Sequence, residues 1–253
     1  MNSKYSLIPF FTAGFPELGS TKKILEILDN QKNIDYIEIG LPHSDALADG
    51  ETIQNSSEKA IQNGMNIKIL FEQINSYSAK TSKLILFTYY NPLIAYGLEK
   101  SLKEWKKAGG SCILIPDLPV EECNEVLDIC KELDIKLIFL ITPLSDSKRI
   151  EKIVSLSTEF IYLVSTLGVT GLKNKEKQET YDSKLKEIID FIKTLNPNMK
   201  IMLGFGIGTT ERAKKALSFN VDGIIIGSAF VKLLEDGIEE KKILNFLSGF
   251  QEL

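Results

Sequence analysis

Glu38 closes the apolar run Tyr36-Ile37-Glu38-Ile39, and Asp49 follows it by 11 residues, next to Gly50. A carboxylate at the end of a buried strand is costly unless it is paired or used, because a low dielectric disfavours its charged form. Two carboxylates in different surroundings make an acid–base pair, since each environment sets its own pKa. Plainer readings stay open at this point. Glu38 could pair with a lysine from a neighbouring loop. Asp49-Gly50 could be an Asx turn, or the cap of a helix starting near Glu51-Thr52-Ile53-Gln54. Between the two acids, Asp45 reads as structural or interfacial. His43, flanked by Pro42 and Ser44, reads as a surface histidine.

A second group of residues points to an anion. Gly168-Val169-Thr170-Gly171, Gly204-Phe205-Gly206-Ile207-Gly208 and Gly227-Ser228-Ala229 each follow an apolar run. Glycines let backbone N–H groups approach a phosphate, and a short helix starting at Ser228 would aim its N-terminus at the same place. A glycine after a strand can also simply make a turn. No basic side chain falls inside these motifs, so recognition through the backbone is expected.

The elements that hold these residues are legible as alternating runs. Strands are expected at 7–11, 36–39, 84–88, 112–115, 137–141, 160–164, 201–203 and 223–226. Their near-continuous apolar character suits strands buried on both faces, as in a parallel sheet. Helical spacing is clear at 20–29, opened by a Ser-Thr cap, and at 120–133. It recurs at 145–156, after a Ser-Asp-Ser cap, and at 182–195. This alternation predicts a single (β/α)₈ TIM barrel spanning residues 1–253, with extra helices in the long connection after the second strand. A doubly wound open sheet is the alternative, but Thr12-Ala13-Gly14-Phe15-Pro16 after the first strand is not its dinucleotide fingerprint. In such a barrel the site lies at the strands' C-terminal ends, which gathers Glu38, Asp49, Asp117, Ser165 and the three glycine segments. The glycine-bounded, lysine-rich stretch from Gly168 to about Thr180 has the composition of a lid.

Composition narrows the partners. Thirty Lys+Arg against 34 Asp+Glu give a net charge of −4. A nucleic-acid or anionic-membrane surface would want a basic face. No apolar run approaches the roughly 20 residues needed to cross a bilayer. No leader peptide is visible at the N-terminus. Cys112, Cys123 and Cys130 form no C-x-x-C pair and His43 is the only histidine, so a metal site is not expected. The pattern reads as reduced and cytoplasmic.

The run Glu38-Ile-Gly-Leu-Pro-His-Ser-Asp-Ala-Leu-Ala-Asp-Gly50 closely resembles the signature of the tryptophan synthase alpha chain family. Further segments agree in order and spacing: Pro9-Phe-Phe-Thr-Ala-Gly14, Thr88-Tyr-Tyr-Asn-Pro92, Asp117-Leu-Pro119, Tyr162-Leu-Val-Ser-Thr-Leu-Gly-Val-Thr-Gly171, Gly204-Phe-Gly-Ile207 and Gly227-Ser-Ala229. The resemblance covers nearly the whole chain. It implies a barrel that cleaves indole-3-glycerol phosphate to indole and glyceraldehyde 3-phosphate in tryptophan biosynthesis. By the same resemblance Glu38 shuttles the proton and Asp49 stabilises the charge that develops on the indole. Phe10 is a wall of the indole pocket, Tyr89 neighbours the carboxylates, and Tyr162 lies near the glycerol moiety. Gly171, Gly206, Gly227 and Ser228 cradle the phosphate with Phe205 beside them, and Thr170 is the lid threonine that meets the aspartate.

The resemblance also implies no cofactor in this chain. Pyridoxal phosphate would sit in a partner beta chain, within a heterotetramer of two alpha and two beta chains. Pro42–Asp45 and Asn91-Pro92 correspond to surface that meets that partner. Three departures stand out: Ala46 and Glu51 replace prolines common in the family, Thr166-Leu167 replaces an arginine-containing version, and the helix that usually precedes the first strand is not apparent. Other phosphate-binding barrels, such as sugar-phosphate isomerases, would be expected to use lysines at strand ends, and none follows the second strand.

Overall fold

Each of the eight apolar runs becomes a strand that pairs in parallel with its sequence neighbours, and the first pairs with the last to close a barrel. The computed structural model describes residues 5–29, 31, 33–46, 49–77, 81–165 and 175–253, with side chains beyond 179 in the last segment. The order is β1 (Ser6–Thr12), α1 (Ser20–Leu28), β2 (Tyr36–Gly40), α2 (Glu51–Gln62), α3 (Ile67–Asn75), β3 (Lys83–Phe87), α4 (Tyr90–Tyr96), α5 (Leu98–Lys107), β4 (Gly110–Leu114) and α6 (Asn124–Glu132). It continues with β5 (Lys136–Ile141), α7 (Ser147–Leu156), β6 (Phe160–Val164), α8 (Lys175–Leu195), β7 (Lys200–Gly204), α9 (Thr210–Leu217), β8 (Gly223–Ile226), α10 (Ser228–Leu233) and α11 (Glu240–Gln251).

The expected barrel is present, and the connection after β2 holds two helices, α2 and α3. The short helix expected at Ser228 is α10, whereas α4 and α5 after β3 and α11 after α10 were not picked out by the periodicity. Helix α1 starts at Ser20 as expected but is capped differently, and α6 and α7 start later than expected. Ser20 and Thr21 do not cap α1: their hydroxyls accept the N–H groups of Glu17 (3.1 Å) and Gly14 (3.0 Å), tying down the β1–α1 loop. Residues 120–123 stay outside α6, in a turn where Glu122 N–H bonds the Pro119 carbonyl at 3.0 Å. Asp146 caps α7 by accepting from Arg149 N–H at 2.8 Å, so that helix starts two residues late.

The two ends of the barrel differ. At the strands' N-terminal end polar groups are matched. Glu159 accepts from the Tyr36 hydroxyl at 2.5 Å and from Lys83 Nζ at 2.6 Å, and the Tyr5 hydroxyl donates to the Phe250 carbonyl. At the C-terminal end the register places Phe10 on β1 beside Glu38 on β2. Two glycines there make room for aromatic rings. A Cβ on Gly40 would stand 2.6 Å from Cζ of Phe10, and one on Gly204 would collide with the Tyr162 hydroxyl.

Candidate active site

Phe10, Glu38 and Tyr162, each carried by a strand, open onto one cavity of about 550 Å³ at the C-terminal end of the barrel. That volume lies within the roughly 300–1,000 Å³ typical of small-molecule sites. Ile53, Phe87 and Ile225 add apolar wall, and Phe10 meets Phe87 edge-on with centroids 5.5 Å apart. Asp49 enters from the β2–α2 loop. Phe205, Gly206, Gly227 and Ser228 complete the lining.

Glu38 is the unusual group. It is 2 % exposed, and its Oε1 has no hydrogen-bond partner. Burial, and secondarily the charge of Asp49, push its carboxyl up to about 8, so it holds its proton near neutrality. No described lysine pairs with it, which removes the structural alternative. Asp49 is also raised by burial, to about 6, but the Tyr89 hydroxyl donates to its Oδ2 at 3.0 Å and pulls the other way. At pH 7 the two therefore hold opposite states, one neutral and one ionised. That separation assigns an acid and an anion to one cavity. Tyr162 is driven well above the ordinary tyrosine value by burial and then by the two carboxyls, so its hydroxyl remains protonated.

The glycine loops carry backbone strain where they face the cavity. Phe205 and Gly206 both have φ of +73°, a region a bulky residue seldom occupies. The Ser165 hydroxyl holds this turn by donating to the Phe205 carbonyl at 2.7 Å. Gly227 precedes α10, so Ser228 opens a helical turn at the cavity edge.

Not every anticipated residue reaches the cavity. Tyr89 lies behind Asp49 rather than on the wall, with its ring 5.2 Å from that of His43. His43 therefore packs on a site tyrosine, and is only partly exposed. Asp49 makes no cap to α2, whose N-cap is Gly50 without a side-chain bond. Asp117 does not line the cavity either; it accepts from Tyr90 N–H at 2.9 Å and fixes the start of α4. Thr170 and Gly171 lie outside the described residues.

The one cationic side chain among the described cavity residues escaped the sequence reading. Arg212 reaches the rim and its Nη1 donates to the Gly206 carbonyl at 2.9 Å. The signal was present: Thr209 caps α9, and side chains in a first helical turn tilt back toward the helix N-terminus. That end of α9 follows the C-terminal end of β7, so Arg212 tilts toward the glycine loops.

A parallel eight-stranded barrel with an acid pair and glycine loops lining one apolar cavity defines a class: barrel enzymes that act on phosphorylated substrates by acid–base chemistry. Comparison with known proteins narrows it. The profile of the tryptophan synthase alpha chain family matches residues 1–248. A tryptophan synthase alpha chain from Pyropia yezoensis is 43 % identical over 253 residues, covering 100 % of this chain and 94 % of its own length. Among solved structures, the tryptophan synthase complex from Pyrococcus furiosus is 32 % identical with a TM-score of 0.83, covering 100 % of this chain and 99 % of that one. The tryptophan synthase alpha subunit from Campylobacter jejuni is 28 % identical with a TM-score of 0.86, covering 98 % and 96 %. The chain belongs to the tryptophan synthase alpha chain family, lyases that cleave indole-3-glycerol phosphate to indole and glyceraldehyde 3-phosphate in tryptophan biosynthesis.

Proposed function

We propose that Glu38 and Asp49 divide the work of this retro-aldol cleavage. Glu38 enters the reaction protonated and gives its proton to indole C3. The bond from C3 to the glycerol chain then breaks, and its electron pair restores the aromatic ring. The side-chain hydroxyl becomes the aldehyde and returns its proton to the Glu38 carboxylate, which is thereby regenerated. Protonation at C3 leaves positive charge on the ring and makes N1–H acidic. Asp49, kept ionised by Tyr89, stabilises that charge. Phe10 and Phe87 flank the bicyclic ring, and Tyr162 offers its hydroxyl near the glycerol carbons. Gly206, Gly227 and Ser228, with Phe205 beside them, receive the phosphate. Gly171 completes that cradle and Thr170 meets Asp49 from the lid.

One observation carries this reading: a buried, partnerless Glu38 oxygen opens on a cavity that glycine loops also line. Buried polar atoms normally find partners, and those that do not are expected where a ligand supplies one. The chain acts as one domain in the cytoplasm without a cofactor of its own. It passes indole to a pyridoxal-phosphate-containing beta chain in a heterotetramer of two alpha and two beta chains. Pro42–Asp45, where Ser44 and Asp45 are exposed, and Asn91-Pro92 form part of the contact.

The test is indole release from indole-3-glycerol phosphate by the purified chain, with and without the beta chain. Glu38→Gln should abolish release while substrate binding persists. Asp49→Asn should slow it by several kcal/mol of lost transition-state stabilisation, on the order of a hundredfold or more. Near-normal turnover in Glu38→Gln would refute the assignment.

A further inference from the structure

The cavity has a charge balance that works against its ligand. Its described lining includes three carboxyl side chains, Glu38, Asp49 and Glu51, and a single cationic side chain, Arg212. A phosphate monoester carries close to two negative charges at neutral pH. Even with Glu38 neutral, two carboxylates face an incoming dianion. Backbone N–H groups offer partial charges only, so a cation at the phosphate end has a clear electrostatic task.

Arg212 has the reach, position and spare donors for it. It borders the cavity together with Gly206, Gly208, Gly227 and Ser228. A guanidinium carries five N–H donors. Among the described residues it makes one hydrogen bond, from Nη1 to the Gly206 carbonyl, and no ion pair. The bond sets the head group beside the glycine loop. Thr209 anchors the backbone beneath it by accepting from Arg212 N–H at 3.3 Å, a contact that does not involve the side chain.

We propose that Arg212 is a phosphate-binding side chain of this site, supplying the cation that the glycine loops lack and directing the substrate's phosphate toward Gly206 and Ser228. The proposal rests on the reading of the cavity as the site for indole-3-glycerol phosphate. It deepens that reading by adding side-chain recognition to backbone recognition. Arg212 acts on the anchored end of the substrate, far from the bond that breaks. Its contribution is therefore equal in ground state and transition state, and appears in KM rather than kcat.

The experiment compares wild type, Arg212→Gln and Arg212→Lys. The exposed side chain and intact Thr209 cap predict unchanged folding, which circular dichroism checks. Steady-state indole release should show KM raised about tenfold in Arg212→Gln with kcat within about twofold, and partial recovery in Arg212→Lys. Calorimetric titration with glyceraldehyde 3-phosphate should show the same loss of affinity without relying on turnover. The salt dependence of KM should flatten in Arg212→Gln, because the screened attraction has been removed. Glyceraldehyde 3-phosphate affinity and KM within twofold of wild type, or a fall in kcat at constant KM, would overturn the role given to Arg212. Absence of indole release from the wild type, with phosphate-ester affinity still dependent on Arg212, would instead overturn the reaction assigned to the cavity.

Discussion

Glu38 and Asp49 are chemically similar acids held in opposite states by their surroundings, and the difference has a measurable consequence. Burial raises both, Glu38 to about 8 and Asp49 to about 6, with the Tyr89 hydroxyl restraining the second. Cleavage needs Glu38 protonated and Asp49 ionised. The pH profile of kcat/KM should accordingly be a bell, rising as Asp49 ionises near 6 and falling as Glu38 ionises near 8. Tyr89→Phe removes a hydrogen bond that favours the carboxylate, so the Asp49 pKa rises and the acidic limb moves to higher pH. The basic limb should shift far less, since burial is the leading cause of the Glu38 shift. An acidic limb that stays in place in Tyr89→Phe would separate Asp49 from that limb. His43, tilted against the Tyr89 ring, places the loop at Pro42–Asp45 beside the donor of the same hydrogen bond.

Strand ends position these side chains, and close approach there depends on what neighbouring strands lack. Gly40 ends β2 against the Phe10 ring, and the missing Cβ is what lets that ring sit in the cavity wall. Gly40→Ala should force Phe10 aside, at a stability cost of about 1–3 kcal/mol. It should also lower indole release by more than the loss of folded protein explains; urea denaturation paired with kcat/KM checks both. Strands such as Tyr36–Gly40 were legible because burial on both faces writes itself as an unbroken apolar run. Glu38 was legible because it breaks such a run. The start of α1 at Ser20 was legible but its cap was not, since Ser20 and Thr21 satisfy loop N–H groups that only the folded β1–α1 turn brings near. The place of Tyr89 behind Asp49 depends on where the chain turns after β3. Local spacing carries little of that information.

The barrel separates satisfied polar groups at one end from an unsatisfied acid at the other, and stability should record this. Near the strands' N-termini Glu159 is matched by Tyr36 and Lys83, whereas Glu38 near the C-termini lacks a partner for Oε1. Such a group is tolerated because a closed barrel of eight strands supplies enough burial elsewhere to carry it. In the unfolded chain Glu38 ionises near 4.5, and in the folded one near 8. Between those values the folded state holds a proton that the unfolded state has released, so stability falls as pH rises through this interval. Above about 8 the whole penalty of burying the charge is present. Glu38→Gln cannot ionise and escapes it. Thermal melts of wild type and Glu38→Gln should nearly coincide at pH 4.5. They should separate progressively toward pH 8.5, with the variant melting several degrees higher although it has lost activity. Comparing the two proteins at each pH cancels the titration of groups not coupled to Glu38. A gap that does not grow with pH, or a variant that melts lower throughout, would mean that Glu38 is ionised and paired in the folded barrel, and the proton it is proposed to give to indole C3 would have to come from elsewhere.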